Sequence, residues 1–266
     1  MGRPGPASGD VVQAAAAVEL VHLGSLYHDD VMDEARTRRT VESVNARWGN
    51  LVAILAGDFL LARASEIAAS LGTEVAGLLA ATIGKLCEGQ VRELAQTFDV
   101  TRSEESYLVS IAGKTVALMA TACRVGAITA GLDRSAVEAL TAYGERVGMV
   151  FQIVDDILDV VATDEELGKP AGNDLVEGVY TLPVIRALAE SAALRTLLGA
   201  PLERDEVEAA RAIIRSNGAV ASAIDLARRY AADSVEALAE VAGAEPVVAA
   251  LSCLGTHLIK NIPVPA

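Results

Sequence analysis

Two acidic runs of one spacing are the residues of this chain best suited to chemistry: Asp29-Asp30-Val31-Met32-Asp33 and Asp155-Asp156-Ile157-Leu158-Asp159. Both read Asp-Asp-x-x-Asp, and both sit in strongly apolar, helix-patterned surroundings. Residues four apart share a helix face, so Asp29 stacks with Asp33 and Asp155 with Asp159. Asp30 and Asp156 flank those faces, about 100° round the axis. Three carboxylates within one turn repel one another, and burying them unpaired would cost far more. A hard divalent cation relieves both problems. Mg²⁺ takes oxygen ligands and is typically held by one or two carboxylates together with substrate phosphates. Two such clusters facing each other would form a cage for a diphosphate and its metals. A solvated acidic face is the alternative. The flanks argue against it: Leu26, Tyr27, Val31 and Met32 surround the first run, and Phe151, Ile153, Val154, Ile157, Leu158, Val160 and Val161 the second. A helix apolar nearly all round is buried, so its acids must face a cavity or a partner.

Other polar groups fall where a diphosphate site would need them. Arg38-Arg39 follow the first run; they form either an exposed basic loop or forks for phosphate oxygens. Lys114-Thr115 interrupts an apolar helix, where a lysine either snorkels or points at an anion. Gln152 lies three residues before Asp155, and a buried glutamine needs a partner. Lys169 stands in a Gly/Pro loop, either solvated or part of a mobile lid. His22 precedes Asp29 by two helical turns on the same face, and His28 abuts the acids. There is no Ser-His-Asp or Cys-His arrangement and no glycine-rich strand–loop–helix to cradle a phosphate.

The elements that must position these groups are helices. The 266 residues are 52% hydrophobic and only 3% aromatic, dominated by Ala, Leu and Val, a helix-forming mixture. Helical periodicity recurs near 10–35, 43–70, 73–98, 103–130, 134–162, 175–197, 204–216, 218–242 and 245–259, with almost no strand patterning. Glycine and proline punctuate the breaks, as at 168–172 and Ala200-Pro201. No composition shift divides the chain, so residues 1–266 read as a single all-α domain. The net charge of −14 argues against nucleic acid as a partner. It does not exclude anionic substrates, because metal ions invert the local field. Cys87, Cys123 and Cys253 have no disulfide or zinc spacing and read as small buried hydrophobes; with no secretory signal, the cytoplasm is the expected location. No stretch is expected to span a membrane.

The pattern from about residue 13 onward resembles the trans-polyprenyl diphosphate synthase family. The resemblance is carried, in order and spacing, by His22 through Asp33, Arg38-Arg39, Gly113-Lys114-Thr115, Phe151 through Asp159, Gly168-Lys169-Pro170, and Asp174 through Thr181-Leu182-Pro183. It implies an isoprenoid-synthase-type helix bundle around a deep central cavity, usually a homodimer. It implies a Mg²⁺-dependent prenyltransferase that condenses isopentenyl diphosphate with an allylic diphosphate. Asp29, Asp33 and Asp155 would ligate Mg²⁺, supported by Asp30, Asp156 and Asp159. Arg38, Lys114 and Lys169 would grip the allylic diphosphate; His22 and Arg39 would contact isopentenyl diphosphate. Departure of pyrophosphate would leave an allylic cation for the isopentenyl double bond to attack, and in the family the pyrophosphate takes the released proton. That matches the lack of an obvious side-chain base here.

By the family's rule, bulky residues four and five positions before the first acid floor the pocket. Here those positions are Ser25 and Gly24, about 6–7.5 Å down the helix from Asp29, so medium or long products are expected. Tyr27 and Met119 are candidates to narrow the tunnel. The sequence departs from the family in two places. It begins Met1-Gly2-Arg3-Pro4, partway into the family's pattern, so the N-terminal helices with their isopentenyl-diphosphate element are expected to be lacking. Val179 stands where many relatives carry a lysine. Two competing readings follow: a non-catalytic subunit of a heteromeric synthase, and a class I terpene cyclase. The complete second acid run and the scarcity of aromatics to steady carbocations weigh against the cyclase.

Overall fold

In the computed structural model, residues 7–38, 41–168, 170–239, 241 and 245–263 are described. Arg39 and Lys169 lie outside them. Helix α1 (Gly9–Met32) starts where the Ser8 side chain accepts a hydrogen bond from the Val11 amide, so one of the helix's orphan donors is satisfied. After it, β1 (Thr37–Arg38) pairs antiparallel with β2 (Val41–Glu42), a small ribbon that the sequence pattern does not announce. The expected helix over 43–70 is split into α2 (Val44–Trp48) and α3 (Asn50–Ser70) at Gly49, whose φ of 86° lies where only glycine is at ease. Helix α4 (Thr73–Leu94) follows.

The next helical stretch is continuous but not uniform: α5 (Glu104–Ile111) and α6 (Ala117–Thr129) are joined by a π-helical turn, Ala112–Val116. A π turn inserts a residue and often marks a functional site; here it carries Lys114 and Thr115. Two glycines allow the neighbouring backbone to come this close. A Cβ on Gly89 of α4 would lie 2.3 Å from the Lys114 amide nitrogen, and one on Gly113 would lie 2.8 Å from the Lys85 carbonyl oxygen. By length and apolarity, 104–129 could cross a membrane, contrary to the expectation of no such stretch. It is instead the central helix of the bundle, packed by α1, α4 and the long α7 (Arg134–Val161).

Short helices α8 (Asp164–Leu167) and α9 (Asn173–Glu177) precede α10 (Leu182–Glu190) and α11 (Ala192–Leu197). The single helix expected over 175–197 is broken because Gly178 takes φ 73° and Pro183 can only start a helix. Helices α12 (Arg204–Ser216), α13 (Ala219–Ala237) and α14 (Glu245–Lys260) complete the bundle. One core gathers Ile153, Ile157, Leu182, Leu194 and Ile214 between α7, α10, α11 and α12; another gathers Val21, Ala64, Leu79 and Val125 between α1, α3, α4 and α6. Each fully buried Leu or Ile contributes about 1.5–3 kcal/mol. The cysteines are free, but Cys87 and Cys253 are exposed rather than buried, because both fall on the outer faces of their helices.

Candidate active site

Between the two cores lies a cavity of about 510 Å³. Helix α1 lines it with Asp33, Asp29, Ser25, His22 and Val18, a stripe at helical spacing. Helix α7 adds Asp155, Asp156, Gln152 and Phe151. The central helix adds Tyr107, Ile111, Lys114, Thr115, Leu118, Met119 and Ala122, and α4 adds Leu86 and Glu93. Helix periodicity arranges this wall by depth. The two acid runs, Lys114 and Arg38 sit at one end; Ser25, Leu118, Met119 and Val18 line the descent, where Glu19 also meets the cavity.

The six aspartates do not behave alike. Asp29, Asp33 and Asp155 line the cavity. Asp30 is 2% exposed and accepts a hydrogen bond from Arg38 Nε at 2.6 Å. Arg38, itself a lining residue, is therefore braced by the first run. Asp156 is buried at the cavity wall, with Oδ2 accepting from the Tyr107 hydroxyl at 2.5 Å and Oδ1 from Gln152 Nε2 at 2.8 Å. Asp159 is buried away from the lining and accepts the backbone amides of Asn173 and Asp174, each at 3.2 Å. It ties α7 to the start of α9. Asp29, Asp33 and Asp155, the three expected ligands, thus line the cavity, while Asp30, Asp156 and Asp159, expected in support, spend oxygens on partners inside the protein.

Burial raises the Asp29 carboxyl to about 6; Lys114 and Arg38 pull it down, while Asp33 and Glu93 push it up. Burial likewise raises Asp33 and Glu177, and it raises Asp156 in spite of the hydrogen bonds from Tyr107 and Gln152. For Lys114, burial favours the neutral form, but the charge and hydrogen bond of Glu93, with Asp29 and Asp33, override it and hold the ammonium above its ordinary range. Lys114 Nζ lies 2.5 Å from Glu93 Oε1. The Thr115 hydroxyl donates to Gln152 Oε1 at 2.5 Å.

Carboxylates outnumber cations here, and burial raises Asp29 and Asp33 more than Lys114 and Arg38 lower them. A divalent cation fits that excess of carboxylates. Among the described residues, no three His, Cys, Asp or Glu side chains converge to hold an ion alone. A divalent cation bound there would complete its shell with water and phosphate oxygens.

Several sequence expectations are corrected. Gly24 does not open the cavity: it faces α3, where a Cβ would lie 3.1 Å from the Gly57 carbonyl oxygen and the Leu61 side chain. Its small size serves helix packing, and only Ser25 of the pair lines the cavity. Tyr27 does not line it, whereas Met119 does. His28 also turns to α3, with Nε2 3.4 Å from Asp58 and 3.2 Å from the Ile54 carbonyl oxygen. Residues the sequence reading missed include Glu93, Glu177, Tyr107 and Thr181. Glu93 was legible, being seven residues beyond Leu86 and fourteen beyond Leu79 on the buried face of α4. Tyr107 sits seven residues before Lys114 on one face. Thr181 is buried, lines the cavity and has a hydroxyl with no hydrogen-bond partner among the described residues; it and Glu177 fall within the 174–183 motif, but the sequence reading gave neither a role in the site.

A helix bundle that turns two carboxylate runs and a half-buried lysine into one cavity defines an enzyme of the isoprenoid-synthase fold acting on diphosphates. The family model described as polyprenyl synthetase matches residues 5–241, and the chain belongs to that family. It is 45% identical over 241 residues to nonaprenyl diphosphate synthase of Mycobacterium tuberculosis, covering 89% of this chain and 72% of that protein. It is 40% identical over 219 residues to heptaprenyl diphosphate synthase component 2 of Geobacillus stearothermophilus, covering 81% and 68%. Among solved structures, a decaprenyl diphosphate synthase from Rhodobacter capsulatus superimposes with TM-score 0.89 at 32% identity, over 98% of this chain and 82% of that one. A Caulobacter crescentus polyprenyl synthase complexed with calcium and isoprenyl diphosphate gives TM-score 0.88 at 33% identity, over 96% and 86%. The chain is a prenyltransferase of isoprenoid biosynthesis, and its family depends on a divalent metal and uses isopentenyl and allylic diphosphates.

Proposed function

We propose that the chain uses Mg²⁺ to extend an allylic diphosphate with isopentenyl units into a medium- to long-chain all-trans polyprenyl diphosphate, as a cytoplasmic homodimer. The observation that carries this is the single cavity in which Asp29, Asp33 and Asp155 meet Lys114 and Arg38 at one end while Ser25, Leu118 and Met119 line the descent. Asp29, Asp33 and Asp155 would hold Mg²⁺, which when bound supplies electrostatic stabilisation to the departing diphosphate. Lys114, fixed by Glu93, and Arg38, fixed by Asp30, present preorganised positive charge to the same group. Lys169 would join them at the allylic diphosphate, and His22 and Arg39 would contact isopentenyl diphosphate. Thr115 and Gln152 present polar edges beside the reacting carbons. Leu118 and Met119 exclude water and receive the growing tail. The relatives named for nonaprenyl and decaprenyl products support the long-chain reading.

An exposed apolar stripe on α3, Leu51, Leu55 and Phe59 at 72%, 59% and 64% exposure, supports pairing of two copies. The three free cysteines are in keeping with a reducing cytoplasm. The relative called heptaprenyl diphosphate synthase component 2 favours a second reading, in which this chain is one subunit of a heteromeric synthase. One experiment separates them: incubate the purified chain alone with Mg²⁺, isopentenyl diphosphate and farnesyl diphosphate, and size the products by mass spectrometry. Products longer than C15 are expected. A dominant C15 product sinks the chain-length reading, and no product from the chain alone favours the heteromeric one.

A further inference from the structure

Behind the second acid run lies a hydrogen-bonded relay that no substrate contact above requires. Tyr107 is 1% exposed, and its hydroxyl donates to Asp156 Oδ2 at 2.5 Å. Asp156 is 3% exposed, and its other oxygen accepts from Gln152 Nε2 at 2.8 Å. Gln152 Oε1 in turn accepts from the Thr115 hydroxyl at 2.5 Å. A carboxylate only accepts, so the phenol and the amide must both donate; with its NH₂ turned to Asp156, Gln152 can offer Thr115 only oxygen. The polarity of the relay is therefore set from the Tyr107 end. Arg102, 5% exposed, stands behind that end. Its guanidinium carbon is 5.7 Å from the Tyr107 ring centroid, and Nη1 donates to the Tyr180 carbonyl oxygen at 3.0 Å. Its Nε and Nη2 are buried with no hydrogen-bond partner among the described residues. A buried cation with idle donors is costly. Here its charge lies across one ring from the buried Asp156, which it offsets.

We infer that Tyr107 is a positioning residue for prenyl transfer, anchoring Asp156 from behind and thereby fixing how Gln152 and Thr115 present themselves in the cavity. The inference rests on the functional reading above. In it, Asp156 holds the relay rather than gripping the metal, and Asp155 beside it is left to face the cavity. Tyr107→Phe removes one buried hydroxyl and leaves Asp156 Oδ2 without its donor.

The test pairs this variant with Tyr143→Phe. Tyr143 is also buried, and its hydroxyl donates to the Leu251 carbonyl oxygen at 2.9 Å, outside the cavity. Both variants should lose comparable thermal stability. Only Tyr107→Phe should weaken calorimetric binding of inorganic pyrophosphate with Mg²⁺, and should lower kcat, each by about tenfold, the size of one lost hydrogen bond to a charged group. The KM for isopentenyl diphosphate should change less than twofold. Gln152→Ala added to Tyr107→Phe should cost less than Gln152→Ala alone, since both cut one relay. If the two tyrosine variants bind pyrophosphate and turn over alike, or if the Gln152 effects simply add, Tyr107 is a core residue and the inference is overturned. If the unmutated chain neither binds pyrophosphate with Mg²⁺ nor forms product, the proposed function fails and takes this inference with it.

Discussion

Among single residues, Asp29 most clearly sets charge against burial. Its carboxyl is raised from 3.8 to about 6 by burial, so folding favours its protonated form. The stability this contributes is complete below about pH 4 and is lost as pH rises through about 6. Without divalent metal, the melting temperature should therefore carry a decline between pH 4 and 7 that Asp29→Asn removes. At pH 7, Asp29→Asn should stabilise the metal-free protein while lowering kcat by about 10²–10³-fold, the scale of losing a preorganised electrostatic group. Scanning calorimetry with a chelator, beside a turnover assay, checks both; an Asp29→Asn protein less stable than the original at pH 7 contradicts the account. Mg²⁺ with pyrophosphate should restore the melting temperature of the unmutated chain at pH 7, because a ligand that binds only the folded state stabilises it.

At the scale of elements, glycines decide how closely helices approach, and two of them separate packing from catalysis. A Cβ at Gly89 would meet backbone, the Lys114 amide at 2.3 Å and the Ser110 carbonyl oxygen at 2.8 Å. Backbone cannot turn aside, so α4 and the π turn must separate. Gly89→Ala should destabilise by about 1–3 kcal/mol or more and also lower kcat, since Lys114 rides on the displaced turn. Gly24→Ala would meet the Gly57 carbonyl oxygen and Leu61 at 3.1 Å, on the side of α1 away from the cavity. It should cost stability yet leave product length unchanged, whereas Ser25→Phe, one residue on but facing the cavity, should shorten the product. Mass spectrometry of the two product sets distinguishes them, and shortening by Gly24→Ala would show that α1 is turned differently.

At the scale of the whole molecule, the stripe of Leu51, Leu55 and Phe59 leaves α3 with one face on α1 and another in water. Under the homodimer reading, Leu55→Glu with Phe59→Glu should convert the dimer to a monomer in sedimentation velocity without unfolding it, as the helical signal would confirm. A mass unchanged by the pair of substitutions would place the subunit contact elsewhere. The proposed chain length belongs to this scale too, because the tail must descend between α1 and the central helix, whose facing residues Ser25 and Leu118, Met119 come from distant parts of the chain.

The sequence alone determined the helical class, the place of the second acid run on a helix and of the first at a helix end, where Asp33 is the C-cap of α1, and the family resemblance, because composition, periodicity and spacing are local properties. Helix α12 was read to the residue. The breaks at Gly49 and Gly178 were harder to read, since an isolated glycine within apolar periodicity does not say whether the chain bends. Tertiary structure alone decided which way each aspartate turns. Asp29, Asp30 and Asp33 share one pattern, but Asp30 is claimed by Arg38, a partner set by how the ribbon folds back. Asp156 is claimed by Tyr107 and Asp159 by the start of α9 in the same way. The π turn at Ala112–Val116 and the pairing of Lys114 with Glu93 were equally hidden. Both arise where α4 meets the central helix through Gly89 and Gly113, and contact between distant segments leaves no mark in the spacing of either one.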